Sequence, residues 1–220
     1  MTIRRAVLAS LVLAMPLIAA GDAPPKRIAK RAQAVAQYAQ VSLDAYGEGY
    51  AFIERATRLE HDSQQVGSSD QTTAVLLSKA KLAYEDALAA FERAVRADSR
   101  MYEAHTYIGY ANRKLGRYEP ALSAYATALQ LKPDYAHAIE YQGEAFLSLN
   151  RFADAKLNYL RLYALDRERA HKLLAAMHEW FDELRDGDGM DMENARAEAA
   201  SWLATQPKPN ALASSPQTPW

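Results

Sequence analysis

The feature that most constrains this chain is that it repeats itself. The stretch Tyr102 to Tyr135 reads YEAHTYIGYANRKLGRYEPALSAYATALQLKPDY. Moving on by its length returns the same residue types: Tyr107 and Tyr141, Gly109 and Gly143, Ala111 and Ala145, Leu115 and Leu149, Arg117 and Arg151, Tyr118 and Phe152, Ala121 and Ala155, Tyr125 and Tyr159. The interval is the roughly 34-residue period of helix-turn-helix repeats. A unit of that size cannot bury its apolar face alone, so it must stack on neighbours. No alternation of apolar and polar residues bounded by turn signals stands out elsewhere, and the expected class is all-α.

Within a unit, apolar and small residues fall at helical spacing on both sides of Leu115-Gly116-Arg117, which makes two amphipathic helices, A and B. Gly116 stands where a left-handed cap stops helix A. Pro120 falls in the first turn of helix B, where its missing N–H has no intrahelical acceptor to lose. Pro133 ends helix B, and Asp134 is placed to cap the next helix. Gly109, Ala121 and Ala128 are small where the helices must approach, while Tyr118 and Tyr125 are large. Small against large is how such a pair interlocks.

At these residues the chain resembles the tetratricopeptide repeat family. Its signature sets a Gly late in helix A, a Gly in the turn, an aromatic opening helix B, then Ala, aromatic, Ala and a closing Pro. Here these are Gly109, Gly116, Tyr118, Ala121, Tyr125, Ala128 and Pro133. The next unit, Ala136 to Arg169, keeps Gly143, Phe152, Ala155 and Tyr159, but Asn150 replaces the turn Gly, Leu162 the second Ala and Arg167 the Pro. Asn tolerates the left-handed conformation next best after Gly, so the turn is expected to survive. Without the Pro, helix B is free to continue or to end less sharply. Upstream, Tyr84, Ala87, Phe91 and Ala94 reproduce helix B with Ser99 in place of Pro, and the preceding helix A is not recognisable. The repeats are therefore set at 102–135 and 136–169, with a degenerate one at 68–101.

The resemblance implies a short right-handed superhelix of antiparallel helix pairs, with capping helices at both ends. It also implies a concave groove, lined by helix A of each repeat, that holds an extended or helical peptide. By register the groove sets Glu103, Thr106, Tyr110, Arg113 and Lys114 of one unit beside His137, Glu140, Glu144, Leu147 and Ser148 of the next. Tyr110 and Leu147 are the expected anchors. Glu140 and Glu144, one turn apart, favour a basic ligand segment, or Arg113 or Lys114 neutralises them within the groove. The Lys and Asn set by which some members of the family clamp a partner's terminal carboxylate is not matched.

Around the repeats, residues 1–20 carry Arg4 and Arg5, an apolar run from Ala6 to Ala20 and small residues at its end, the pattern of a secretory signal peptide cleaved near Ala20/Gly21. The run contains Pro16 and falls short of the roughly 20 residues that span a bilayer; an uncleaved anchor and twin-arginine export are the alternatives. Residues 26–62 are expected to form an N-terminal helical cap, a pair that breaks at Gly47 and Gly49, followed by a polar loop from His61 to Asp70. Thr72 to Ala97 is either one extended helix or a poor helix A running into helix B. Residues 170–205 form C-terminal capping helices, the first burying Leu173, Leu174, Met177, Trp180 and Phe181, and close a repeat domain spanning 70–205. Residues 206–220, rich in Pro, Ser, Asn and Gln, form a disordered tail.

Chemistry finds little support. The chain has no Cys, which removes disulfides, thiolate metal sites and Cys nucleophiles together. Its net charge of −1 argues against a nucleic-acid partner. His178-Glu179 opens like a zinc-protease motif, but Asp182 stands where the second His is needed. His105 and His137 lie nearly one period apart, either near each other or as two independent surface residues. Asp182, Glu183, Asp186, Asp188, Asp191 and Glu193 invite a calcium reading but lack EF-hand ligand spacing, and a solvated turn explains them. The expectation is an exported, non-catalytic scaffold or adaptor without cofactors, periplasmic, holding a protein or peptide partner and not stably inserted in a membrane. The alternatives are a structural subunit of a homo-oligomer or envelope complex, and a metal-binding or enzymatic protein.

Overall fold

The computed structural model describes residues 26–66, 71–185 and 193–206. The expected signal peptide, the acidic turn from Asp186 to Met192 and all but the first residue of the expected tail lie outside the described residues. Eight helices are described: α1 (Lys26–Val66), α2 (Gln71–Ala97), α3 (Tyr102–Lys114), α4 (Tyr118–Leu131), α5 (Ala136–Ser148), α6 (Phe152–Leu165), α7 (Arg167–Arg185) and α8 (Glu193–Leu203). The chain divides into two units after Tyr38, within α1. The described part of the first, residues 26–38, is helical and exposed throughout.

The N-terminal region departs from expectation. It is not a pair broken at the glycines but one uninterrupted helix that runs through Gly47, Gly49 and His61 to Val66. The buried residues of α1 explain why: Ser42, Ala45, Gly49, Ile53, Ala56 and Ser63 recur every three to seven residues and form one stripe. That stripe packs on α2, which is the single extended helix of the two expected alternatives. Ser42 Oγ donates to the Ala94 carbonyl at 2.9 Å, and Tyr84 donates to Glu60 at 3.0 Å, so the two helices run antiparallel. Gly49 lies between these contacts, facing the buried Phe91; a Cβ there would stand 2.8 Å from the ring.

This contact locates the helix A that the sequence conceals. Gly109 of α3 faces Tyr125 of α4 in the same way, with a Cβ only 2.5 Å from the ring. Phe91 precedes Tyr125 by 34 residues, one period, whereas Gly49 precedes Gly109 by 60. Helix A of the first unit is thus α1, displaced upstream because α1 and α2 extend past the repeat.

The two clear repeats are the pairs α3 with α4 and α5 with α6. Both turns close as expected. Gly116 (φ 74°) and Asn150 (φ 58°) adopt the left-handed conformation. The N–H of Arg117 bonds to the Asn112 carbonyl and that of Gly116 to Arg113, at 2.8 and 2.9 Å; Arg151 to Phe146 and Asn150 to Leu147 repeat the arrangement, both at 2.8 Å. Asn150 has a further use, since its side-chain oxygen accepts from the Trp180 indole at 3.2 Å. The missing Pro does not let α6 run on. Asp166 is extended (φ −152°) and its carboxylate accepts the Arg169 N–H at 3.1 Å, capping α7.

Gly143 serves the next helix instead of its own pair: a Cβ there would lie 2.6 Å from Leu173 of α7. Leu173, Leu174, Met177 and Trp180 are buried as expected, with Phe181 packed partly against them. Trp180 stacks on Phe152 at 5.4 Å, and Trp202 of α8 meets Phe152 and Tyr159 edge-on.

The glycines separate two effects. Gly47 has nothing within 4 Å of an added Cβ, so Gly47→Ala should stabilise the chain by about 0.5–1 kcal/mol through the helix propensity of Ala. Gly49→Ala and Gly109→Leu must displace fully buried rings and should each lower stability, Gly109→Leu by about 1–3 kcal/mol or more. Urea unfolding of the three variants against the parent measures both signs.

Candidate partner-binding face

Helices α1, α3, α5 and α7 occupy the A position of successive units, and each junction between them is closed by an ion pair. Glu60 of α1 meets Lys114 of α3 at 2.8 Å, Arg113 of α3 meets Glu144 of α5 at 2.7 Å, and Glu140 of α5 meets Arg169 of α7. Of the charges expected to line the groove, all but Glu103 are thus neutralised from within. Arg113 is further held over the Tyr110 and Tyr141 rings, 5.3 and 5.9 Å from their centres, and Lys114 over Tyr84 at 5.7 Å.

Three expected groove residues do not reach the surface. Thr106 is fully buried, its hydroxyl donating to the Tyr102 carbonyl at 2.9 Å. Leu147 is 4% exposed and belongs to the core formed with Ile139 and Phe152, so it is no anchor. Glu140 is buried to the same extent, beside Arg169. All three are inward-facing because the buried stripes of α3 and α5 run through them. Glu103 is half-buried beside the Tyr102 hydroxyl. Ser148 is exposed and donates to the Glu144 carbonyl at 3.1 Å. His105 and His137 have separate partners: His105 contacts the Ser99 carbonyl, and His137 contacts Arg169 and stacks on Tyr135 at 5.1 Å.

What remains on this face is tyrosine. Tyr110 touches Tyr141 at 5.0 Å, Tyr107 at 6.2 Å and Tyr84 at 6.2 Å. Tyr107 in turn meets Tyr46 at 5.9 Å and Tyr50 at 5.5 Å, both on α1, and stacks on Phe91. From Tyr141 the contacts run through His137 to Tyr135 and on to Tyr102 at 4.8 Å. A continuous set of rings joins α1, α3 and α5, and Tyr46, Tyr50, Tyr102, Tyr107, Tyr110, Tyr135 and Tyr141 all keep part of their surface in solvent. Sequence reasoning singled out only Tyr110 of these. The recurrence of Tyr107 at Tyr141 was an available signal; Tyr46 and Tyr50 become one only once α1 is known to be a helix A.

Burial is the first cause that raises the phenol pKa values here. Tyr102, Tyr135 and Tyr141 are pushed up to about 12, and Tyr46 and Tyr107 higher still, so all remain protonated at neutral pH. Burial likewise raises the Glu140 carboxyl, against the pull of Arg169. The His137 ring is held below its ordinary 6.5 by burial and then by the Arg169 charge, with Lys172 adding and Asp166 opposing. Among the described residues no group of three or more His, Cys, Asp or Glu is placed to hold a metal ion, and no helix is long and apolar enough to cross a membrane.

Removing Arg169 leaves Glu140 nearly buried and uncompensated. Arg169→Met should therefore cost about 3–5 kcal/mol, more than Glu140→Gln, which keeps a hydrogen-bonding group, at about 1–2 kcal/mol; urea unfolding ranks them. Because protonating His137 is harder in the folded chain than in the unfolded one, its contribution to stability is complete above pH 6.5 and is lost as the pH falls through and below that value. His137→Gln should flatten this fall, read as the difference in urea midpoint between about pH 7.5 and about pH 5.5.

The match to a family model agrees with the repeat geometry over part of the chain. The tetratricopeptide repeat family model matches residues 82–136 and again 113–171. A search of the curated proteins returned no match. Among solved structures, the first TPR of Spaghetti (RPAP3) bound to HSP90 peptide SRMEEVD is similar at 18% identity over 70% of this chain and 96% of that chain, with a TM-score of 0.40. The described chain is an all-α solenoid of the tetratricopeptide type, with its matched repeats between residues 82 and 171.

Proposed function

We propose that the protein is an exported, non-catalytic adaptor that holds a protein or peptide partner on the tyrosine-rich face of its A helices. One observation carries this reading: seven partly exposed tyrosines stand in ring contact across α1, α3 and α5, while six charged side chains at the helix junctions are paired among themselves. Tyrosine offers a large, rigid contact area at low entropic cost, and it is enriched among the residues that dominate binding energy. The tetratricopeptide repeat match supports the reading. Export rests on Arg4, Arg5 and the apolar run that follows; in a cell with two membranes the adaptor would be periplasmic.

A second reading, an assembly subunit, is favoured by α6. Leu157 and Leu160 are 63% and 51% exposed, and Tyr163 and Leu165 beside them also face solvent. An apolar patch of this kind on a helix marks an interaction surface.

Capture from envelope extract on the parent chain and on a folded Tyr107→Ala, Tyr141→Ala double variant tests the adaptor. The partner should be retained by the parent and lost by the variant. Equal retention by both moves binding to another face. A mass that rises with concentration and is restored to a single chain by Leu157→Glu, Leu160→Glu would install the assembly reading in its place. Mass spectrometry of the chain recovered from an exporting host should show an N-terminus near Gly21.

A further inference from the structure

Resting on the reading of this face as the partner site, we propose that its ligand is an uncharged, proline-rich segment bound in the polyproline II conformation. The first argument is charge. Glu60, Lys114, Arg113, Glu144, Glu140 and Arg169 already neutralise one another across the helix junctions. A charged ligand at the junctions would have to break a pair and leave its other member unpaired and largely buried, which is costly, and Glu103, which stands outside these pairs beside Tyr102, repels an acidic one. A neutral one leaves the pairs intact.

The second argument is hydrogen bonding. The hydroxyls of Tyr46, Tyr50, Tyr107, Tyr135 and Tyr141 form none of the side-chain hydrogen bonds found among the described residues, in contrast to Tyr84, which donates to Glu60. Burial holds the phenols of Tyr46, Tyr107, Tyr135 and Tyr141 in the protonated form, so the face offers O–H donors. A helix has already satisfied its own backbone, and an ordinary extended strand brings N–H donors along with its carbonyls. Proline brings a carbonyl only, and the polyproline II helix makes no internal hydrogen bonds, so its acceptors point outward. Donor-rich aromatic surface fits acceptor-rich, donor-poor chain, and the preformed helix loses little entropy on docking.

The third argument is continuity. Tyr46 and Tyr50 on α1 meet Tyr107 on α3 at 5.9 and 5.5 Å, and Tyr110 on α3 meets Tyr141 on α5 at 5.0 Å, so the rings form one unbroken aromatic surface. An extended chain crossing the three helices packs its pyrrolidine rings on that surface.

The test titrates the full chain into a fluorescein-labelled oligoproline nonapeptide, beside a neutral Gly/Ser nonapeptide, an acidic nonapeptide and an amphipathic helical peptide. Oligoproline should bind saturably with Kd below about 1 mM, and the value should change less than about threefold between about 0.05 and about 0.5 M NaCl, since no ion pair forms. Tyr107→Ala and Tyr141→Ala should each weaken binding at least about tenfold; the Phe variants, which keep the ring and lose the donor, by about three- to tenfold. Tyr50→Ala, at the most exposed of these residues, weakens binding without disturbing the core, and urea midpoints confirm that each variant is folded. Failure of oligoproline to bind, or binding that these variants leave unchanged, overturns the proposal. If the acidic or helical peptide binds instead and is lost by the same variants, the ligand class is wrong and the partner face is right. If binding of no probe responds to them, the face is wrong as well.

Discussion

A glycine set against a large side chain on the neighbouring helix is the contact on which the rest of this structure depends. It occurs as Gly49 on Phe91, Gly109 on Tyr125 and Gly143 on Leu173. At each place a single Cβ would enter the van der Waals space of a buried group, so the helices approach as closely as backbone permits. The first two contacts lock a helix A to its own helix B; the third locks α5 to α7. Together they carry the same packing from the first pair to the C-terminal cap, although the pair α1 with α2 has lost the repeat's length.

Close packing of successive A helices has an electrostatic and an aromatic consequence. Long side chains at the junctions meet across α1 and α3, α3 and α5, and α5 and α7, and each junction takes one acid and one base. Such pairs, partly withdrawn from water, specify which helix lies beside which more than they add stability. Between them the tyrosines come within ring contact, and their edge-on and tilted arrangements are those that the aromatic quadrupole favours. The same face is therefore cohesive in its charges and open in its phenols. The face presents O–H groups and ring faces, while the charges at the helix junctions are engaged with one another.

Much of this was legible along the chain. The left-handed turns at Gly116 and Asn150, the small residue at Gly109 and the buried face from Leu173 to Trp180 all follow from local rules and stand where those rules put them, whereas Gly143 makes its close approach to α7 and not within its own pair. The face itself was half legible. Tyr110, Arg113, Lys114, His137 and Glu144 are on it, yet Thr106, Glu140 and Leu147 lie inside. Register against a family pattern sets a residue on a helix to within part of a turn, and part of a turn separates a groove wall from the core.

The sequence by itself determined the period, the helix pairs of the two clear repeats and the turns between them, because backbone preference and apolar periodicity are written in residues a few places apart. Only the tertiary structure decided that α1 is the missing helix A, since Gly49 and Phe91 reveal their relation through a contact across 42 residues of chain and not through a spacing that repeats. It alone decided that Lys114 belongs to Glu60 and Glu140 to Arg169, and that Tyr46 and Tyr50 join the tyrosines of α3 and α5. Coulomb attraction and ring packing act over a few ångströms of space, whatever the separation along the chain.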